Sequence, residues 1–204
     1  MQMSKWLLWT IAALAVVGPV SAGQFNDILN MGDAAPAWVD LPGVDGKKHS
    51  LADLKSKQVV VVVFTCNSCP VAEQYEDRLI AFAKKHAGPD SPVAVVAINV
   101  NRIAEDKLDK MKERAEGKKF NFAYLYDESQ KIGKAYGAQY TPEFFVLDKD
   151  RKIVYMGAMD DASPPAEARK FFLEDAVAAA LKGAKPATAE TLARGCKVRY
   201  VRSR

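Results

Sequence analysis

Apolar and polar positions follow two different rhythms along this chain. Val59-Val60-Val61-Val62-Val63-Phe64 is an unbroken β-branched and aromatic run. It has strand length and no polar alternation, so both faces are expected to be buried, as in the middle of a helix-covered sheet. Pro92 to Ile98 has the same character. Between these runs, Val71, Tyr75, Leu79, Phe82 and His86 recur at three- and four-residue steps, while Glu73, Glu76, Asp77, Lys84 and Lys85 supply a wet side. That spacing predicts a helix over 71–87, and so a strand–helix–strand unit with parallel pairing.

The flanking pattern completes an α/β plan. Asp45-Gly46 marks a hairpin turn between extended pieces at 38–41 and 48–51, and 51–55 reads as one helical turn. Residues 104–117 read as a charged helix and 120–125 as a short strand. Asp127 reads as the cap of a helix ending at Tyr136, with Gln130 at the capping-box position and Gly137 as the stop. Segments 143–147 and 152–156 form a hairpin pattern across Asp148-Lys149-Asp150-Arg151. Pro165 to Lys182 predicts a long helix with Phe171, Phe172, Ala176, Ala179 and Leu181 inward. Residues 184–193 read as a linker and 196–201 as a short terminal strand.

Composition narrows the function classes. The 204 residues carry 49% apolar and 26% charged side chains, an ordinary globular balance for about one domain. Residues 1–22 combine Lys5, an apolar stretch from Trp6 to Val17, the breakers Gly18-Pro19 and a small-residue Val20-Ser21-Ala22 site. This is the pattern of a signal peptide, with an uncleaved membrane anchor as the alternative; either places the remainder outside the cytoplasm, periplasmic or secreted. Without that segment the chain holds 28 bases against 25 acids, with no basic stripe, which argues against a nucleic-acid partner. Arg194, Lys197, Arg199, Arg202 and Arg204 make only the tail, 183–204, locally basic. Three cysteines is an odd count, and a purely structural disulfide framework in an exported protein tends to pair its cysteines.

The chemistry is concentrated at Cys66-Asn67-Ser68-Cys69-Pro70, directly after the valine strand and at the start of the next helix. Unpaired first-turn amides and the helix dipole lower a thiol's pKa there. Cys66 is expected at the cap, exposed and with a lowered pKa; Cys69, one turn in, is expected to resolve a mixed disulfide on Cys66. A zinc site would need Cys66, Cys69, Cys196 and one of His49 or His86, and no second pair has metal spacing, so no metal or other cofactor is expected. Tyr140-Thr141-Pro142-Glu143 stands before the buried strand 143–147. A cis Pro142 there would bring the Thr141 backbone beside the dithiol and offer it to an extended peptide.

Strand, C-x-x-C at a helix start, strand, helix, Thr-Pro, hairpin and final helix together resemble the thioredoxin-like superfamily. Gly32-Asp33, Pro36, Asp45-Gly46-Lys47, Ser50-Leu51-Ala52-Asp53-Leu54 and Ala123-Tyr124-Leu125-Tyr126-Asp127 are similar to its redoxin branch. That branch holds the alkyl hydroperoxide reductase/thiol-specific antioxidant proteins and periplasmic thioredoxins. The resemblance spans about residues 31–182. It implies a mixed central sheet with helices on both faces, a cis Pro142, and thiol–disulfide exchange with protein thiols or disulfides and a redox donor.

Two departures from the branch are visible. Thioredoxins carry a buried Asp on the strand before the dithiol, where this chain has Val60; Glu73 is the candidate substitute. Peroxidases of the branch place a Thr three residues before the reactive Cys and a Pro further upstream; here Thr65 directly precedes Cys66 and the strand has no Pro. Thiol peroxidase is therefore the second reading, and a non-catalytic binding module the third. For Cys196 the favoured expectation is packing of a folded-back terminal strand, with Val198 and Val201 beside it. The alternative is that the tail carries a third thiol to the dithiol.

Overall fold

The computed structural model describes residues 23–201. The signal-like segment 1–22 lies outside the described residues, and so do Arg202 and Arg204 of the basic tail. Thirteen elements are labelled in chain order. The strands are β1 (Leu41–Pro42), β2 (Lys48–His49), β3 (Val59–Phe64), β4 (Val93–Asn99), β5 (Ala123–Tyr126), β6 (Tyr140–Thr141), β7 (Glu143–Leu147), β8 (Ile153–Gly157) and β9 (Cys196–Lys197). The helices are α1 (Pro70–His86), α2 (Leu108–Lys118), α3 (Lys131–Tyr136) and α4 (Phe172–Leu181). Among the described residues no helix is long and apolar enough to cross a membrane.

The central sheet runs β5-β4-β3-β7-β8. β3 pairs in parallel with β4 and β4 with β5, while β7 pairs antiparallel with both β3 and β8. The valine run sits in the middle because it can fill both faces. Val59, Val61 and Val63 join Tyr75, Leu79 and Phe82 of α1 and Leu173, Ala176 and Val177 of α4 in one core. Val60, Val62 and Phe64 face the opposite way, against Trp38, Leu51 and Tyr136 of α3. This is a thioredoxin-like α/β fold, a mixed sheet with helices on both faces.

Several element boundaries differ from the sequence expectation, each for a local reason. The helix expected over 104–117 is a short 3-10 turn, Ala104–Asp106, followed by α2. Lys107 is extended between them (φ −73, ψ 159), and the inward residues Met111 and Ala115 belong only to the second piece. The strand expected at 120–125 is β5, shifted toward Tyr126. The hairpin arms around Asp45-Gly46 pair only as β1 and β2. Asp127 does hold the start of α3, its Oδ2 accepting from Ile132 N at 2.8 Å and Gly133 N at 3.2 Å. Gln130, however, closes no capping box: it takes a left-handed φ of 61 and reaches the Val100 and Arg199 carbonyls.

The expected 165–182 helix is also divided, into a 3-10 turn at Pro165–Glu167 and α4. Its inward stripe is Leu173, Ala176 and Val177, and Phe171 stands 51% exposed. Beyond α4 the chain stays on the body. Met156 N donates to Ala189 O at 3.1 Å and Thr191 N to Met156 O at 3.0 Å, so 189–191 run beside β8. The terminal strand is only β9, and it folds back onto β6, with Thr141 opposite Cys196.

Candidate active site

Three elements converge at the C-terminal end of β3: the Cys66–Cys69 loop, the first turn of α1, and the β6/β9 pair. The helix begins at Pro70, so its N-cap is Cys69, not Cys66. A proline fits the first helical position because that amide has no intrahelical acceptor, which fixes the cap one residue earlier. Cys69 Sγ accepts from Ala72 N at 3.3 Å. Pro70 carried this signal in the sequence, and the expected cap at Cys66 is corrected by it.

Exposure does not single out Cys66 either. Cys66 is 3% and Cys69 1% exposed. Cys66 Sγ lies 3.4 Å from Thr141 Oγ1 and 3.7 Å from Ser68 Oγ. Cys69 Sγ lies 3.1 Å from the Thr141 carbonyl. Thr141 therefore touches both sulfurs, and the Thr141–Pro142 bond is cis. In the reduced pair the thiolate is favoured at Cys69. The Cys66 thiol facing it is the largest cause; the Cys196 thiol, the Ala72 amide and Thr141 add to it against the cost of burial. Cys66 is pushed up, first by that same interaction with Cys69 and then by burial. The lowered pKa expected at Cys66 is thus found at Cys69, owed first to the Cys66 thiol and only in lesser part to the Ala72 amide.

Behind the loop stands a residue that sequence reasoning missed. Asp106 is fully buried. Its Oδ1 accepts from Asn67 N at 2.7 Å and Ser68 N at 3.2 Å, and its Oδ2 from Ser68 Oγ at 2.6 Å and Asn101 Nδ2 at 3.2 Å. Asn99 Nδ2 reaches Oδ1 at 3.3 Å. The two residues between the cysteines are thereby fixed by one carboxylate. The available signal was the apolar period of α2, Leu108-Met111-Ala115, which starts after Asp106 and leaves it outside the helix.

Glu73 does not serve Cys69. Its carboxylate faces α2 and pairs with Arg114 at 3.3 Å, while Arg114 also bonds Glu76 at 2.8 Å. Cys196 is brought to the site. It packs against Cys66, Cys69 and Ala72. Its thiol faces Cys69, which together with burial raises its pKa, while the Val71 amide acts in the opposite direction. Folding back of the tail and delivery of a third thiol are therefore one event, not alternatives. Both histidines lie elsewhere, His49 on Asp45 and His86 on Glu174. Among the described residues no group of His, Cys and carboxylates is arranged to hold a metal ion.

The edge of β6 next to Pro142 is not open. Tyr140 pairs with Lys197 and Thr141 with Cys196, and Val198 N donates to Gln139 O at 2.9 Å. The chain's own tail holds the backbone groups expected to receive an extended peptide.

The profile of the Redoxin family matches residues 30–170. The chain belongs to the redoxin family. It is 29% identical over 142 residues to a protein of Mycobacterium tuberculosis (strain ATCC 25618 / H37Rv) named as a peroxiredoxin, covering 62% of this chain and 83% of that one. It is 28% identical over 151 residues to the thiol-disulfide oxidoreductase ResA of Geobacillus thermodenitrificans (strain NG80-2), covering 72% of this chain and 80% of that one. A solved structure of a hypothetical protein from Sinorhizobium meliloti 1021 superposes with a TM-score of 0.79 at 34% identity, covering 87% of this chain and 98% of that one. These relatives make this redoxin an oxidoreductase of thiol chemistry.

Proposed function

We propose that this redoxin is an exported thiol–disulfide oxidoreductase whose Cys66–Cys69 dithiol exchanges with disulfides of protein partners. The observation that carries the reading is Thr141 lying against both sulfurs, 3.4 Å from Cys66 and 3.1 Å from Cys69. Cys66 passes its proton to the Cys69 thiolate that faces it, attacks a partner disulfide and releases one partner thiolate. Cys69, with the Ala72 amide on its sulfur, then attacks Cys66 and releases the second. Two electrons and two protons pass to the partner, and the protein is left with a Cys66–Cys69 disulfide. A donor dithiol outside the cytoplasm resets it. The apolar 6–17 segment supports that location.

The peroxidase reading finds less support at the site. Three residues before Cys66 stands Val63, fully buried in the core and without a hydroxyl to offer a peroxide. The discriminating experiment is insulin-disulfide reduction beside peroxide consumption, on wild type, Cys66→Ser and Cys69→Ser. Reduction of insulin lost in both variants, with peroxide consumed no faster than by free thiols, is the expected result. Rapid peroxide consumption abolished by Cys66→Ser would replace this reading with the peroxidase.

A further inference from the structure

The tail occupies the position a partner strand would take. It pairs antiparallel with β6, places its cysteine opposite Thr141, and packs that cysteine against the cluster of Cys66, Cys69 and Ala72. The approach is close enough that position 195 must be glycine: a Cβ there would collide with the Thr141 carbonyl. Val71, in the first turn of α1, and Cys196 both pack against the cluster of Cys66, Cys69 and Ala72. Cys196 is half-buried, whereas Cys66 and Cys69 are buried.

We infer that Cys196 is a built-in exchange partner that forms a disulfide with Cys69. The inference rests on the proposed dithiol chemistry for its source of oxidation, the Cys66–Cys69 disulfide. The Cys196 thiolate attacks Cys69 Sγ; the Cys69–Cys196 bond forms and the Cys66–Cys69 bond breaks. Cys66 leaves as a thiolate and takes up the proton that Cys196 lost. Nothing is oxidised or reduced overall. The oxidised protein thus has two linked forms, and the second returns Cys66 as a thiol while locking the tail over β6.

Disulfide mapping tests this directly. Full-length Cys66→Ser is treated with oxidised glutathione, quenched in acid and analysed by thiol counting and peptide mass mapping. The expected result is loss of both remaining thiols with a Cys69–Cys196 peptide in the monomer. Two surviving thiols, separate glutathione adducts or only intermolecular dimers would overturn the inference. Wild type equilibrated in a glutathione redox buffer gives a readout that needs no substitution. Both the Cys66–Cys69 and Cys69–Cys196 peptides are expected, and Cys66–Cys69 alone at every poise would overturn the inference. The dithiol itself is read separately, as the Cys66–Cys69 peptide and insulin reduction in Cys196→Ser. Failure of the proposed function and failure of the tail exchange are therefore told apart.

Discussion

The dithiol lies between two walls built on different principles. On one side Asp106 gathers Asn67, Ser68, Asn99 and Asn101 around a single buried carboxylate. On the other, Thr141 is backed by a two-residue strand from the chain terminus, with Glu143 beneath it. The first wall is a side-chain network that joins the loop to the end of β4 and the turn before α2. Removing the carboxylate would strand the Asn101 amide and the loop donors of Asn67 and Ser68. The second is a short backbone ladder reached only after the chain has gone round the whole domain. A two-residue ladder has few backbone bonds to break and opens at lower cost than a packed core element. The difference assigns the walls separate tasks: the Asp106 side holds the C-x-x-C loop in one shape, and the tail side can be exchanged.

The sharpest way to break this comparison is Asp106→Ala. It strips the acceptor from the half-buried donors of Asn67 and Ser68 and the buried amide of Asn101, and a loss of about 4 kcal/mol is expected, since each stranded donor costs about 1–3 kcal/mol. Urea unfolding measures it. A loss below about 1 kcal/mol would mean that the loop shape does not depend on this carboxylate.

Glu143 gives the next largest effect, and one that depends on pH. It is buried, its Oε2 accepting from Gln139 N at 2.7 Å and Tyr140 N at 3.0 Å. Burial pushes its pKa up from 4.5 to about 7, against the pull of those two amides. The folded state therefore binds more protons than the unfolded state between those values. Stability is unpenalised below the unfolded pKa, falls as pH rises through the window, and levels off above it. The fall amounts to about 3 kcal/mol, which Glu143→Gln should abolish. Denaturant midpoints of both proteins from pH 4 to 8 decide it; parallel curves would refute the burial argument.

How much of this was legible in the sequence follows from the range of each interaction. The valine run and the α1 stripe declare themselves because burial on both faces, or on one, writes a period into consecutive residues. The dithiol's place between them followed at once. Asp106 was not legible, because its partners come from two distant segments, 67–68 and 99–101, and leave no period behind. The occupied β6 edge was hidden for the same reason: the pairing of residues 140–141 with 196–197 is non-local. For Cys196 the sequence supplies a strand-like composition, which does not distinguish packing against the body from contact with the dithiol. Pairing opposite Thr141 makes them the same placement. The divided helices at 104–118 and 165–181 were overextended because charged or alanine-rich flanks do not mark a 3-10 turn.

Gly195→Ala probes the exchangeable wall by itself. The added Cβ meets the Thr141 carbonyl, a backbone atom that cannot turn aside. A loss of about 2 kcal/mol is expected, as for other overpacked sites. The more telling readout is Cys196, whose alkylation should accelerate as β9 lifts from β6, while the Asp106 network stays intact. Unchanged alkylation would show that the ladder holds the tail more firmly than its length suggests.

Glu73→Gln should do almost nothing, and that is its use. Glu73 sits one turn beyond Cys69, where a carboxylate helper for the thiol would be sought. In the structure its side chain is 46% exposed and turned to Arg114, which keeps its bond to Glu76 when Glu73 is lost. An exposed ion pair of this kind contributes about 0–1 kcal/mol, so a stability change below about 0.5 kcal/mol is expected. The thiolate at Cys69 owes its favour to Cys66, Cys196, Ala72 and Thr141. None of these is touched by the substitution, so the ultraviolet thiolate titration of the reduced protein should coincide with wild type. A clear displacement of that titration would put a carboxylate back into the site and shift proton handling from the thiol cluster to α1.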